Sequence, residues 1–167
     1  MNGGPYKSPV VIRKLAVMTI DIRRATPVDL DAIAPLFDAY RRFYGQPGDL
    51  PRARVFLSER MQAGDSVVLL AERDGHAVGF TQLYPLFSSV RTARMWVLND
   101  LYVDAAARRG GVARALLDAA ARFARENGAA RIVLETSVDN GAARALYRDA
   151  GWQEETSQWY ALALDGG

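Results

Sequence analysis

Residues 99–117 read Asn99-Asp100-Leu101-Tyr102-Val103-Asp104-Ala105-Ala106-Ala107-Arg108-Arg109-Gly110-Gly111-Val112-Ala113-Arg114-Ala115-Leu116-Leu117. A strand ends near Val103, and a short loop bearing two arginines and two glycines follows. The chain then runs straight into an amphipathic helix. Val112, Leu116, Ala120, Phe123 and Ala124 make its buried stripe, while Asp118/Arg122 and Arg122/Glu126 are i,i+4 pairs on the opposite side. Asn127-Gly128 closes it. Arg131–Thr136 then reads as a strand whose Ile-Val-Leu run predicts burial on both faces. A strand–helix–strand passage of this kind needs a right-handed crossover between parallel strands.

Upstream, the pattern turns antiparallel. Thr19–Ala25 alternates, with Ile20 and Ile22 on one face. Thr26-Pro27 starts a helix whose apolar positions Leu30, Ile33, Ala34, Phe37 and Tyr40 repeat at helical spacing as far as Gly45. A second helix is predicted from Pro51 to Ala63, broken by Gly64-Asp65. Ser66–Arg73 and His76–Tyr84 are strands joined by Asp74-Gly75, a strong hairpin signal, with Pro85 expected to limit the second. A loop through Ser88-Ser89 leads to a strand over Met95–Val103. Downstream, Asp139 or Asn140 caps a short helix closed by Gly151, and Trp152–Leu164 is expected to return as a strand. The order β-αα-βββ-α-β-α-β predicts an α+β (mixed α/β) domain over residues 18–167, with a mixed, mostly antiparallel sheet and helices on both faces. Residues 1–17 carry both lysines, a Gly-Gly pair and two prolines. They are expected to be an extension, flexible or non-native, with a short extended piece at 9–16.

Composition narrows the chemistry. The 167 residues include no cysteine and one histidine, His76, placed just after a hairpin turn. Disulfides, CxxC metal or redox sites, a cysteine nucleophile and two-histidine metal motifs are all excluded, and no metal is expected. Net charge is +2, with arginine greatly outnumbering lysine. No like-charge block exceeds a pair, so nucleic-acid binding is not expected, although an arginine-rich binder with salt-dependent affinity stays as a rival. No apolar run suits a membrane span and the N-terminus lacks a signal-peptide pattern, so a cytoplasmic location is expected.

The loop at 108–114 has the features of an anion cradle. Backbone amides at a helix N-terminus point at one place and carry the positive end of the helix dipole. Gly110 and Gly111 lack a Cβ, Ala113 keeps the first turn thin, and Arg108, Arg109 and Arg114 carry charge suited to phosphate. It is not a Walker A loop, because no Gly-Lys-Ser/Thr occurs, and the glycine spacing does not fit a dinucleotide fingerprint. A plain strand-to-helix turn with solvated arginines is the alternative.

Two blocks resemble the GCN5-related N-acetyltransferase (GNAT) family. Arg108-x-x-Gly111-x-Ala113 matches its Arg/Gln-x-x-Gly-x-Gly/Ala signature, and Asn140-x-x-Ala143-x-x-Leu146-Tyr147-x-x-x-Gly151-Trp152 matches a second block. The likeness extends over essentially all of 19–163. More loosely, the stretch Gly79–Val103 resembles the diamine and histone-type branch, which has Glu where this chain has Asn99. The resemblance implies a GNAT fold with a splayed parallel β4–β5 pair, and acetyl-CoA as co-substrate without a metal. It implies cofactor contacts from Leu101, Tyr102 and Val103 and from the loop Arg108, Arg109, Gly110 and Gly111. Val112, Ala113 and Arg114 of the first helical turn, together with Asn140 and Ala143, complete the implied set.

The resemblance also implies roles. Tyr147 matches the usual general acid, able to protonate the leaving thiolate, though its spacing with Ala143, Leu146 and Ala150 also suits a core residue. Glu135 sits where ribosomal-protein N-acetyltransferases carry a Glu assigned as base; a carboxylate in an apolar strand would have a raised pKa. Asp100 is the second candidate base, with a solvent-facing residue or an arginine partner such as Arg94 as its plainer reading. The acceptor side is expected from the first two helices, the loop Pro85–Arg94 and the last strands, with Tyr44 and Tyr84 singled out. The expected function is direct transfer of acetyl to a primary amine: a small amine, an amino acid or a peptide or protein amine. A catalytically silent acyl-CoA sensor or regulatory module is the alternative. Relatives that dimerise through terminal strands make a homodimer a further expectation.

Overall fold

The computed structural model of the chain describes residues 19–164. The predicted extension at 1–17, with its extended piece, lies outside them. The elements run β1 (Ile20–Arg24), α1 (Leu30–Phe43), α2 (Leu50–Ala63), β2 (Val67–Arg73), β3 (His76–Ser88), β4 (Ala93–Val103), α3 (Val112–Glu126), β5 (Arg131–Leu134) and α4 (Gly141–Asp149). The strands form one sheet in the order β1-β2-β3-β4-β5, antiparallel up to β4 and parallel between β4 and β5. No helix among the described residues is long and apolar enough to cross a membrane.

Both faces of the sheet are covered, and β2 shows how. Val67, Leu69 and Ala71 pack with α3 residues Val112, Leu116, Leu117 and Ala120, while Val68 and Leu70 pack with Ile33, Phe37, Ala53 and Leu57 of α1 and α2. A strand buried on both sides carries no polar alternation, which is why its sequence is a continuous apolar run.

Helix entry is fixed by local polar chemistry. The Asp29 carboxylate accepts from the Thr26 backbone N–H at 2.8 Å and pairs with Arg23 at 2.7 Å, and Arg23 also reaches Glu72 at 2.8 Å. Hydrogen bonding from Arg23 is the main force holding the Asp29 carboxyl well below the usual carboxylate range. A carboxyl depressed on folding contributes stability that is present above its unfolded value of 3.8 and lost as pH falls through the folded value. Asp29→Ala is therefore expected to cost about 1–2 kcal/mol at neutral pH, since Arg23 is partly solvated, and the deficit should shrink in strong acid. Urea unfolding at pH 7 and pH 2 measures both.

Three sequence expectations are corrected. Trp152–Leu164 forms no strand: Trp152 packs on the core, but Trp159, Tyr160, Leu162 and Leu164 are exposed. β5 consequently ends the sheet, and its four residues are only half-buried, not covered on both faces. Pro85 does not limit β3, and the expected loop Pro85–Arg94 is mostly a strand pair turning at 89–92. The last β2 partner of β3 is Leu83, so Pro85 lies where β3 has β4 alone as its neighbour and a missing N–H is tolerated.

Candidate active site

Two breaks in regular pairing create the site. The first lies between β4 and β5. Their parallel ladder runs from Met95↔Arg131 to Leu98↔Leu134 and stops, while β4 continues to Val103. Residues 99–103 of β4 therefore have no β5 partner on that side, which is the splayed geometry expected from the sequence.

The second break is a β-bulge. Gln82 pairs with Asp100 and Leu83 with Leu98, so Asn99 is an extra residue in β4. The bulge shifts the inside–outside alternation of the strand. Trp96 and Leu98 belong to the α3-side core before it, whereas Leu101 and Val103 do after it. Asp100 and Tyr102 are thereby turned to the α1 side. An unbulged strand would have driven the Asp100 carboxylate into the apolar α3-side core.

Asp100 is buried, 5% exposed, and Asn99 Nδ2 donates to its Oδ1 at 3.2 Å. Burial raises the Asp100 carboxyl above its ordinary range, and the neighbouring Tyr40 and Asn99 work against that rise. Tyr84 of β3 stands in the same field. Burial foremost, then Asp100 and Asp65, push its phenol up to about 12. Tyr147 of α4 is half-buried, and its phenol is raised by burial and by Tyr44. Tyr44 is 59% exposed and its ring meets the Tyr40 ring edge-on at 5.0 Å between centroids. Tyr40 thus neighbours Asp100, Tyr44 and Tyr147, while Tyr84 lies in the field of Asp100. From sequence Tyr40 reads as one of several aromatics able to line the acceptor side, without being singled out.

Glu135 is not part of this group. It lies one residue past β5 and is exposed, outside the apolar strand setting expected for it. Asp100 is neither solvent-facing nor paired with Arg94, whose guanidinium sits over the Phe87 ring instead.

The glycine loop lies beyond the end of β4. Gly111 is the residue before α3, in left-handed conformation at φ +82°, and no side chain caps the helix behind it. The first amides of α3 therefore face outward together with the positive end of its dipole. A Cβ on Gly110 would run into the Arg73 guanidinium and stand 3.3 Å from the Ala107 carbonyl oxygen. Arg73 comes from the end of β2 and donates to the Gly110 carbonyl at 3.5 Å, a contribution with no signal in the sequence.

The predicted cradle arginines differ in their engagement. Arg108 turns back, donating from Nε to the Val103 carbonyl at 3.0 Å and lying over the Tyr102 and Phe43 rings. Arg114 is held by both Asp118 oxygens at 3.0 Å and by the Asp149 carbonyl at 2.9 Å, tying α3 to α4. Arg109 is exposed, with φ +59°. Asn140, not Asp139, caps α4, its Oδ1 accepting from Ala143 N at 3.2 Å. An uncapped helix start behind a left-handed glycine, and an adjoining unpaired strand edge, suit a long ligand with an anionic end and amide groups along its length. The residues present therefore fit coenzyme A.

Comparison with known proteins places this geometry. The family model described as "Acetyltransferase (GNAT) family" matches residues 33–152. An uncharacterised N-acetyltransferase of Bacillus subtilis, YhfO, is 47% identical over 137 residues, which is 82% of this chain and 92% of that protein. The crystal structure of a probable acetyltransferase superposes with a TM-score of 0.83 at 42% identity, covering 88% of this chain and 99% of the other. An aminoglycoside N-acetyltransferase solved in complex with CoA shares the fold at a TM-score of 0.74 and 23% identity, covering 88% of this chain and 97% of the other.

Proposed function

Since the chain belongs to the GNAT family of acetyltransferases, we propose that it transfers acetyl directly from acetyl-CoA to a primary amine held beside Asp100. The observation that carries the reading is the bulge at Asn99. It sets a buried carboxylate on the α1 side of β4, next to the strand edge that β5 leaves unpaired. Acetyl-CoA supplies the acetyl group and departs as the free thiol. With no cysteine in the chain, no acetyl-thioester can form on the protein, so the amine attacks the bound thioester itself.

Each residue then has a task. The α3 amides and Arg109 receive the phosphates, and the free edge of Leu101–Val103 takes the amide-bearing arm, with Asn140 and Ala143 of the α4 start as further contacts. An acceptor amine arrives protonated and must lose a proton before it attacks. Asp100 is suited to hold that proton because burial already favours its neutral form. Tyr147, whose phenol stays protonated over the physiological range, serves as donor to the leaving sulfur. Tyr44 and Tyr84 flank the acceptor amine.

Coenzyme A thiol release, measured with acetyl-CoA and a panel of small amines, amino acids and peptides, tests the reading. Acetyl-CoA binding without release by any amine would favour the silent-sensor alternative. Gly111→Glu is expected to weaken acetyl-CoA binding at least about tenfold, because it sets a carboxylate at the anion end and forces a side chain into left-handed backbone. Calorimetry returning the wild-type affinity would overturn the cradle assignment.

We also propose a homodimer. The half-buried edge of β5 and the exposed Trp159, Tyr160, Leu162 and Leu164 support coverage by a second copy. A monomeric mass by light scattering at micromolar concentration would overturn it.

A further inference from the structure

We propose that Gln82 binds the acceptor amine, its buried side-chain oxygen accepting one N–H while Asp100 takes the proton that leaves. The inference rests on the acetyl-transfer reading above and adds a residue to the acceptor side.

An orphaned atom is the first reason. Gln82 is fully buried, 0% exposed. Its Nε2 donates to Ser66 Oγ at 2.8 Å, and Ser66 is itself buried. No group among the described residues donates to Gln82 Oε1. Buried side-chain oxygens are nearly always hydrogen-bonded, because they have given up water to be buried. If the position asked only for packing, an apolar side chain of this length would fill it without an unpaired oxygen. Ser66 anchors the amide by its nitrogen, so the oxygen is held in place with its lone pairs unused. The surroundings are polar beyond this pair. Asp65 directly precedes Ser66 and meets Arg60 at 3.4 Å, and Asp65 Oδ1 and Arg60 Nε are also buried without a partner among the described residues.

Position is the second. Gln82 of β3 pairs in register with Asp100 of β4. Phe80, two residues earlier, packs in the α1-side core, and Leu83, the next residue, packs in the α3-side core. Alternation therefore puts Gln82 on the α1 side, the side to which the bulge turns Asp100. Directly opposed side chains of an antiparallel pair start about 4.5–5.5 Å apart at Cβ. A carboxylate and an amide oxygen both accept, so neither satisfies the other. An ammonium, with three N–H donors on one atom, satisfies both.

The chemistry divides between them. One ammonium N–H bond breaks, its proton joining the Asp100 carboxylate and its electron pair staying on nitrogen as the attacking lone pair. A second N–H stays intact on Gln82 Oε1, which takes up no proton. As the lone pair bonds to the thioester carbonyl carbon, the nitrogen becomes positive again and its N–H a stronger donor. The hydrogen bond to Gln82 therefore tightens toward the transition state. An alcohol has nothing to offer in its place: once its proton goes to Asp100, no O–H is left for Gln82. The pair so selects an amine over a hydroxyl.

The test compares wild type, Gln82→Met and the double variant Ser66→Ala/Gln82→Met. It measures kcat and KM for an amine the wild type acetylates, acetyl-CoA affinity by calorimetry, and melting temperature. Met keeps the length of the side chain and removes both amide atoms. In both variants kcat/KM for the amine is expected to fall about 10- to 100-fold, through a raised KM and a lowered kcat, with acetyl-CoA affinity unchanged. The double variant removes the amide together with its partner, and should melt at or above the wild-type temperature because the orphaned oxygen goes with them. Unaltered kcat/KM would overturn the role of Gln82. So would a loss accompanied by weaker acetyl-CoA binding or by a lower melting temperature of the double variant, which would make Gln82 a structural residue. These outcomes leave acetyl transfer intact, whereas a wild type that releases no coenzyme A with any amine would overturn both.

Discussion

Asp100→Asn is expected to lower kcat about 10²- to 10⁴-fold and, at the same time, to raise the melting temperature. Asn keeps the shape of the side chain but cannot take a proton. The gain in stability follows from the same burial that tunes the acid. A carboxyl whose folded value is raised is comfortable when protonated, and the stability it contributes is lost as pH rises through that value. At neutral pH the wild type carries the cost of holding a carboxyl at a site that is 5% exposed. Removing that cost should add about 2–4 °C for each kcal/mol recovered. In acid below the ordinary value of 3.8 the two proteins should melt together. Calorimetric melts at pH 7.5 and pH 3, beside steady-state rates, check both halves. An inactive but unstabilised variant would mean that Asp100 is not held at a cost, and full activity would remove it from the reaction.

The second large effect is expected at Tyr147. Tyr147→Phe should reduce kcat about 10- to 10³-fold with little change in acetyl-CoA affinity, since the hydroxyl is used when the thiolate leaves and not when the cofactor binds. The Tyr147 ring packs beside Trp152, at 6.3 Å between centroids, and Phe preserves that contact. The loss should shrink with thioesters whose thiol is more acidic, because a better leaving group needs less protonation. Unchanged turnover would make Tyr147 a core residue, the reading its helical spacing also allows.

What the sequence disclosed follows from how locally each feature is determined. The Asp74-Gly75 hairpin, the α3 stripe and the parallel crossover rest on short-range patterns, and all three form as read. The glycine turn into α3 was legible for the same reason, because it is set by a few consecutive residues ending in the left-handed Gly111. Trp152–Leu164 failed because its apolar pattern states only a preference for extended backbone, and a strand also needs an edge to pair with. The strand setting expected for Glu135 is missed by one residue, since β5 stops at Leu134 and the side chain lies outside it. Arg73 and Tyr40 are joined to the site by tertiary packing alone. The bulge left a trace, since Trp96 and Leu98 are even-numbered and Leu101 and Val103 odd, a change of step that a strict alternation would not contain.

That change of step has a consequence for how the domain tolerates variation. Replacing the side chain at 99 forfeits one hydrogen bond from an exposed amide. Deleting the residue would exchange the surroundings of every side chain from 100 to 103, sending Leu101 and Val103 out of the core and Asp100 into it. The buried carboxylate is located by chain length more than by the identity of its neighbour. A lineage of such proteins could therefore drift freely in composition around position 99, yet a single in-frame codon lost between Leu98 and Leu101 would silence it.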